Sequence, residues 1–254
     1  MKEAIYKLVD VLTFRRGLSR NINGFHVKLP ARYVNYFPDN YEAANFRFLK
    51  DNVKAGDTIF DIGAHIGLFS TIAARLAGNA GRVISFEPSS ETFKLLNETI
   101  RINGLSKNIF PRHAAVGDRS GKVTFFVSPI RGDNSNSIVS YKNDRELIPV
   151  EVDLVSVDDL VKADPGIRPS FMKIDVEGAE LDALRGASFT MLNIKPLIIL
   201  AIHPEPIKEK GDSIETIYHF IKTHGYRATL NGKAVGVEDL VNRNGLFDLH
   251  LLPG

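Results

Sequence analysis

Beyond Thr58 the chain alternates two kinds of apolar pattern, and this alternation constrains its fold more than any other feature. Short continuous apolar runs read as buried strands, whereas apolar residues recurring every three or four positions read as amphipathic helices. Strands are predicted at Thr58–Ile62, Arg82–Phe86, 109–116, 122–127, 150–154, Phe171–Ile174, 196–202, Tyr226–Leu230 and 246–252. Between them, Phe69, Ile72, Ala73 and Leu76 share one helix face, and Phe93, Leu96 and Ile100 share a second. Leu181 and Leu184 mark a third helix, and Ile214, Ile217, Tyr218 and Ile221 a fourth. Gly78-Asn79 and Asn103-Gly104 stop the first two, and Ser89 stands where it can cap the second. Strands joined through helices pair in parallel and are covered on both faces. The expected fold is therefore α/β: a doubly wound, mainly parallel sheet of seven strands with a short N-terminal extension.

The extension spans residues 1–53 and the main domain 54–254. In the first 20 residues Ile5, Leu8, Val9 and Leu12 recur at helical spacing, while Lys7 and Asp10 interrupt any signal-peptide core. A short amphipathic helix is expected there, packed on the domain or on a partner subunit. Tyr33, Tyr36, Phe37, Tyr41, Phe46 and Phe48 cluster around Pro30 and Pro38. They fit a strand pair near Phe25–Leu29 followed by a helix packed on the main sheet, or a cover over a pocket. The polar stretch 128–149 is long for a loop inside a domain, which makes Asn134, Ser135 and Asn136 candidates to meet a substrate.

Charge and composition remove several function classes. With 32 Lys and Arg against 30 Asp and Glu, net charge is +2, and no basic tail or patch marks a nucleic-acid partner. The sequence has no cysteine, so disulfides, thiolate nucleophiles and cysteine-based zinc sites are excluded. No apolar run is long enough to cross a bilayer. A cytoplasmic protein acting on a small molecule, with a homo-oligomer compatible, is the expectation.

The chemistry centres on the turn after the strand Thr58–Ile62, where Asp61 is followed by Gly63, Ala64, His65 and Gly67. A strand, glycine turn and helix let a ligand approach the backbone and the unpaired N–H groups of a helix start. A dinucleotide fingerprint has the order G-x-G-x-x-G, its middle glycine admitting a pyrophosphate. Here the order is D-x-G-x-x-x-G, with a carboxylate that would repel a pyrophosphate and attract a cationic or amino-bearing ligand. The methionine half of S-adenosylmethionine carries an amine and a sulfonium. Glu87, 20 residues beyond Gly67, closes the next strand, where an acidic side chain accepts hydrogen bonds from ribose hydroxyls.

These blocks, with Val83-Ile84-Ser85-Phe86-Glu87-Pro88, Ala114-Ala115-Val116-Gly117-Asp118, Lys173-Ile174-Asp175-Val176-Glu177-Gly178-Ala179-Glu180 and Leu184-Arg185-Gly186-Ala187, resemble the FkbM methyltransferases over residues 57–205. The resemblance implies a Rossmann-like fold and methylation, commonly at a hydroxyl oxygen of a sugar or natural product such as a polyketide. It implies that Asp61, Gly63, Ala64, His65 and Gly67 line the methionine end of S-adenosylmethionine. Glu87 and Pro88 would then hold the ribose, Ala115 and Asp118 would lie near adenine, and Asp175 would sit by the reactive methyl. Two residues depart from the family pattern: His65 stands where Asn is common, and Ala201 where an acidic residue is frequent.

Asp175 and Glu177 lie just beyond the carboxyl end of a predicted parallel strand, and His203 ends the next, the edge where open α/β sheets bind ligands. The candidate base is Asp175 or His203, with Glu177 orienting the acceptor and Lys173 pairing with a carboxylate or touching substrate. Glu177 also fits a helix first turn, and Lys173 an alternate-face strand residue in an ion pair. Asp175, Glu177 and His203 have the ligand types for a divalent cation, a reading disfavoured by the lack of a close-spaced metal motif. A nicotinamide-dependent oxidoreductase or epimerase is a second reading, and a non-catalytic cofactor-binding subunit a third.

Overall fold

In the computed structural model, residues 6, 16–127 and 147–254 are described. The predicted N-terminal helix and the residues Asn134, Ser135 and Asn136 fall mainly or wholly outside them. That helix does not reach residue 20, because Leu18–Ile22 (β1) pairs antiparallel with Phe25–Leu29 (β2) around Asn23-Gly24. Both turn residues have positive φ, 51° and 85°, the geometry of a two-residue hairpin turn. Arg20 and Asn23 then tie the hairpin to the following segment. Arg20 pairs with Asp39 at 2.5 Å, and the Asn23 amide donates to the Tyr41 carbonyl at 2.5 Å.

Ala43–Asn52 (α1) leads from that segment to the main sheet. Phe46 packs against Phe69, with ring centroids 6.0 Å apart. Phe48 packs against Phe171, with centroids 5.7 Å apart. The sheet starts at Thr58–Ile62 (β3), then passes through Leu68–Ala77 (α2), Arg82–Phe86 (β4), Ser90–Ile102 (α3) and Ile109–Arg112 (β5). Ser89 caps α3 by accepting from the Thr92 N–H.

Here the structure departs from the expected single strand 109–116. The chain leaves the main sheet after Arg112, and Ala115–Val116 (β6) joins a separate three-stranded sheet with Gly121–Val127 (β7) and Ile148–Val155 (β8). Pro111 lies in β5, whose one described partner is β4, and a proline without an N–H is tolerated at such a sheet edge. The next elements are Val157–Ala163 (α4), Phe171–Ile174 (β9), Glu180–Arg185 (α5) and Ser188–Asn193 (α6). Leu197–Ile202 (β10), Pro204–Glu209 (α7), Ile214–Thr223 (α8), Tyr226–Leu230 (β11), Lys233–Ala234 (β12) and Phe247–Pro253 (β13) complete the described chain.

The main sheet has eight strands in the order β12-β11-β13-β10-β9-β3-β4-β5, not seven. It is mixed: β10, β9, β3, β4 and β5 run parallel, and β13 inserts antiparallel between β10 and β11. The extra strand is the two-residue β12, too short to carry a periodic signal. Period-2 alternation splits the core between the two faces. Phe60, Ile62, Met172, Ile174, Ile198 and Leu200 pack toward one cluster, and Ile59, Phe171 and Ile199 join Phe46, Leu49 and Phe69 in the other. The chain winds outward from β3 through β4 and returns to β9 on its other side. The carboxyl ends of β3 and β9 therefore form a topological switch point, where sheets of this kind open a crevice.

Candidate active site

The parallel register sets the site. Asp61 of β3 faces Lys173 of β9, and Lys173 faces Ile199 of β10, which pairs with His250 of β13. Register partners leave the same face of a sheet, so Asp61, Lys173 and His250 form one polar row, on the face covered by α1 and α2. The row is buried: Asp61 is 0%, Lys173 5% and His250 7% exposed. Ser70 of α2 donates to Asp61 Oδ2 and lies 2.7 Å from the Ser85 hydroxyl. Asp61 Oδ1 is buried with no hydrogen-bond partner, a cost of about 1–3 kcal/mol unless a ligand meets it.

The glycine turn leaves β3 with positive φ at Gly63, His65 and Gly67 (83°, 51° and 86°). Gly63 and Ala64 donate their N–H groups to the Phe86 carbonyl at 3.0 and 2.9 Å, which folds the turn across β4. A Cβ on Gly63 would lie 1.8 Å from the Asp175 carbonyl oxygen, and one on Gly67 2.6 Å from Leu96 Cδ1. Gly63 is thus required by packing against backbone, and Gly67 by its left-handed φ. His65 has a reason of its own: Asn and His are among the few non-glycine residues that accept the left-handed conformation this position takes. Its ring sits among Tyr33, Tyr36 and Phe37, with centroids 6.0, 6.0 and 6.4 Å away.

Glu87 lies 7% exposed just past β4. Its Oε2 accepts from the His65 N–H and its Oε1 from the Ser89 N–H, each at 2.9 Å. Burial pushes its pKa up to about 7 against these two donors. Each oxygen keeps a second lone pair and can accept one further hydrogen bond. Burial likewise raises Asp61 to about 6, with Lys173 and Ser70 opposing.

Beyond β9 runs a chain of alternating charge. Lys173 Nζ is 2.6 Å from Asp175 Oδ2, His203 Nε2 is 3.6 Å from Asp175 Oδ1, and His203 Nδ1 is 2.7 Å from Glu180 Oε1. Burial would depress Lys173, but the carboxylates of Asp175, Glu42 and Asp61 around it prevail and hold its pKa well above the usual value. Burial works to raise Asp175, yet Lys173 and His203 bring it below the ordinary carboxylate range. Burial would lower His203, but the Glu180 hydrogen bond, with Asp175 and Glu177, raises it.

One cleft gathers Asp61, Glu87, Lys173 and Asp175. Phe37, Tyr41, Glu42 and Phe46 come from the extension, and Asp61, Gly63, Ala64, His65, Leu68 and Phe69 from the turn and α2. Glu87, Pro88 and Thr92 line it beyond β4, with Ala114, Ala115, Val116 and Phe125 at one end and Lys173, Asp175, Val176 and Glu177 at the other. Among the described residues no group of three or more His, Asp and Glu is arranged to hold a metal ion.

The profile of the Methyltransferase FkbM domain matches residues 61–228. The chain belongs to this family. It is 27% identical over 158 residues to the hexuronic acid methyltransferase AglP of Haloferax volcanii, covering 62% of this chain and 60% of that protein. It is 26% identical over 161 residues to methyltransferase sdnD of Sordaria araneosa, covering 53% of this chain and 62% of that one. The chain thus spans about 60% of the length of these relatives. Among solved structures it resembles a methyltransferase FkbM from Methylobacillus flagellatus, at TM-score 0.51 and 14% identity, covering 98% of this chain and 60% of that one. It also resembles an rRNA methylase from Clostridium thermocellum, at TM-score 0.53 and 13% identity, covering 84% and 96%. Both likenesses concern the fold.

Of the residues singled out from the sequence, the cleft brings together Asp61, Gly63, Ala64, His65, Glu87, Pro88, Ala115, Lys173, Asp175 and Glu177. Three stand elsewhere. Gly67 packs on Leu96, and Asp118 lies outside the lining with its carboxylate on Arg119 at 3.2 Å. His203 stands behind Asp175, at the N-cap position of α7. Glu177, at φ 43°, precedes the α5 N-cap Ala179 and so is not a first-turn residue of that helix. Lys173 adopts the ion pair that the sequence offered as one of its two readings.

Sequence reasoning missed Glu42, Phe125 and Glu180. Glu180 had a signal, being the last residue of the FkbM-like block, whereas Glu42 had none, because its place depends on α1 crossing the sheet. Among the described residues no helix is long and apolar enough to cross a membrane.

Proposed function

We propose that this chain transfers the methyl group of S-adenosylmethionine to a hydroxyl oxygen of a sugar or natural-product-type small molecule. The observation that carries the reading is one cleft bracketed by two buried carboxylates, Asp61 with an unpartnered oxygen and Glu87 with both oxygens oriented by backbone N–H groups. A sulfonium amino acid at one end and a ribose diol at the other match these groups. Ala115, Val116 and Phe125 offer an apolar wall for a flat base. When bound, the cofactor supplies an electrophilic methyl on a positive sulfur. FkbM membership and the sugar-acid acceptor in the name of AglP support a sugar-like acceptor.

The protein's own groups then have distinct roles. Asp175 is 26% exposed and faces the cleft, so it accepts the acceptor hydroxyl's proton as the new oxygen–carbon bond forms. A hydroxyl becomes a strong acid as it is alkylated, so a carboxylate of low pKa suffices as its base. Lys173 and His203 keep Asp175 ionised and fix both its oxygens. His203, bracketed by Glu180 and Asp175, favours the protonated ring and serves to position Asp175. Phe37, Tyr41 and Phe46 cover the cleft and exclude water.

Titration of the purified protein with S-adenosylmethionine and with NAD tests the donor; NAD binding without adenosylmethionine binding overturns the reading. Asp175→Asn tests the base. A fall of about 10²–10⁴ in kcat is expected, in the range of general-base removal, with S-adenosylhomocysteine affinity preserved within a few fold. Unchanged methylation of a competent acceptor refutes the assignment of Asp175.

A further inference from the structure

We infer that Glu42, contributed by the extension, binds the ammonium end of the cofactor's amino-acid moiety together with Asp61. The inference rests on the adenosylmethionine reading and adds a residue outside the span, 61–228, that matches the family.

Three observations converge on Glu42. Its backbone is left-handed, φ 44° and ψ 42°, a conformation that costs a glutamate conformational energy and persists where the surroundings impose it. It occupies the N-cap position of α1, yet its side chain makes no capping hydrogen bond. Instead the carboxylate lines the cleft, held by Asn45, whose Nδ2 donates to Glu42 Oε2 at 3.1 Å. Asn45 is 1% exposed and is anchored in turn by His250, whose Nε2 lies 2.9 Å from Asn45 Oδ1. His250 is stacked on Phe48 with centroids 4.1 Å apart, so the support is rigid. A strained residue held by a buried relay and aimed into a cleft is placed to grip something.

What it grips follows from charge. Among the described residues, Lys173 is the only Lys or Arg lining the cleft, against the carboxylates of Glu42, Asp61, Glu87, Asp175 and Glu177. Lys173 is already paired with Asp175 at 2.6 Å and feels Glu42 and Asp61 as further anionic neighbours. Asp61 Oδ1, fully buried, still lacks a donor. A primary ammonium has three donors and supplies the positive charge that this end of the cleft lacks.

Calorimetry on the full chain tests this with three probes: S-adenosylmethionine, S-adenosylhomocysteine and 5′-methylthioadenosine, which lacks the amino-acid end. In Glu42→Gln the Asn45 contact persists while the charge is lost. The first two probes are expected to weaken by about ten- to a hundredfold, the size of one charge-assisted hydrogen bond, with methylthioadenosine unchanged. Equal weakening of all three, or none, overturns the inference. Glu42→Gly removes the backbone strain, so it is expected to melt no lower than the parent while losing S-adenosylhomocysteine affinity. A lower melting temperature with unchanged affinity assigns Glu42 a structural role and overturns it too. If the parent itself fails to bind S-adenosylhomocysteine, the cofactor reading falls; if the parent binds and Glu42→Gln binds equally, only the role of Glu42 falls.

Discussion

Replacing Glu180 by Gln should shift the charge state of His203 with little change in shape. Glu180 is 0% exposed and its Oε1 lies 2.7 Å from His203 Nδ1, so the side chain stays in place and an amide oxygen still accepts from the ring. What disappears is the negative charge. A hydrogen bond to a charged group is worth about 1.5–3 kcal/mol in proteins, and that is the preference for the protonated ring that should be lost. With Glu180 neutral, the burial of His203, 14% exposed, is opposed mainly by Asp175 at 3.6 Å. The ring should then titrate lower than in the parent. Alanine would be a poorer probe, since it empties a fully buried position and confounds charge with packing.

The assay is ¹⁵N-detected titration of the histidine ring nitrogens between about pH 5 and 9, where imidazole changes charge. In the parent, His203 should remain doubly protonated above the ordinary histidine range, and in Glu180→Gln it should lose its proton earlier. Stability follows the same sign. A histidine raised in the folded state stabilises fully below its unfolded pKa, and that contribution disappears as pH rises through the folded value. The stability gap between parent and variant should therefore be widest at low pH and narrow as pH rises. Identical ring titrations in the two proteins would refute the reasoning, because Glu180 would then not be holding the proton.

Three further outcomes are expected. Asp61 and Glu87 are raised to about 6 and about 7 chiefly by burial, and the bound ligand prefers both ionised. S-adenosylhomocysteine affinity should thus rise from pH 5.5 to 8 with proton release, which calorimetry in two buffers of different ionisation enthalpy measures; a flat profile would contradict it. Without ligand, the same two groups make the fold lose stability as pH rises from the ordinary carboxylate range through about 6–7, since the unfolded chain ionises first. Gly63→Ala should lower stability by more than the roughly 1–3 kcal/mol of left-handed strain, because its Cβ also meets the Asp175 carbonyl 1.8 Å away. A thermal melt within a degree of the parent would show that the turn has another conformation.

The parallel core was legible because it repeats: β3, β4 and β9 begin and end where the apolar runs do, as does the antiparallel β11. The short helices were not. α4, α6 and α7 span six or seven residues, fewer than two turns, so no apolar face recurs within them. α4 did carry a signal in Ser156, which accepts from the Asp159 N–H with Asp158 and Asp159 in the first turn. Reading 109–116 as one strand hid the point where the chain changes sheets: the exposed Arg112 and His113 separate β5, paired on β4, from the buried β6, paired on β8. In the site, Asp175, Glu177 and His203 were singled out by their place at strand ends, and the residues from Asp61 to Pro88 by the glycine-turn motif and the resemblance to the FkbM family. Glu42 and Phe125 were not, since they reach the cleft from an extension and a separate sheet.

Ala201, where the resemblance implies an acidic residue, has a carboxylate beside it in register. Ala201 of β10 pairs with Asp248 of β13, so the two side chains leave the same sheet face at neighbouring places. Asp248 is pushed up to about 6 by burial and by Glu42, with Lys173 and the Asn45 hydrogen bond opposing. A carboxylate at position 201 would therefore meet one already present on the adjacent strand. It follows that introducing it should do harm. Ala201→Asp places a second carboxylate at a position 1% exposed, directly opposite Asp248. Overpacking alone costs about 1–3 kcal/mol, and like-charge repulsion adds to it as pH rises above the raised Asp248 value. Asp248→Ala in the same chain should recover part of that loss, and more of it at pH 8 than at pH 5. Thermal melts of the four proteins in this cycle read the coupling directly. Strict additivity at both pH values would mean that the two positions do not share one electrostatic site.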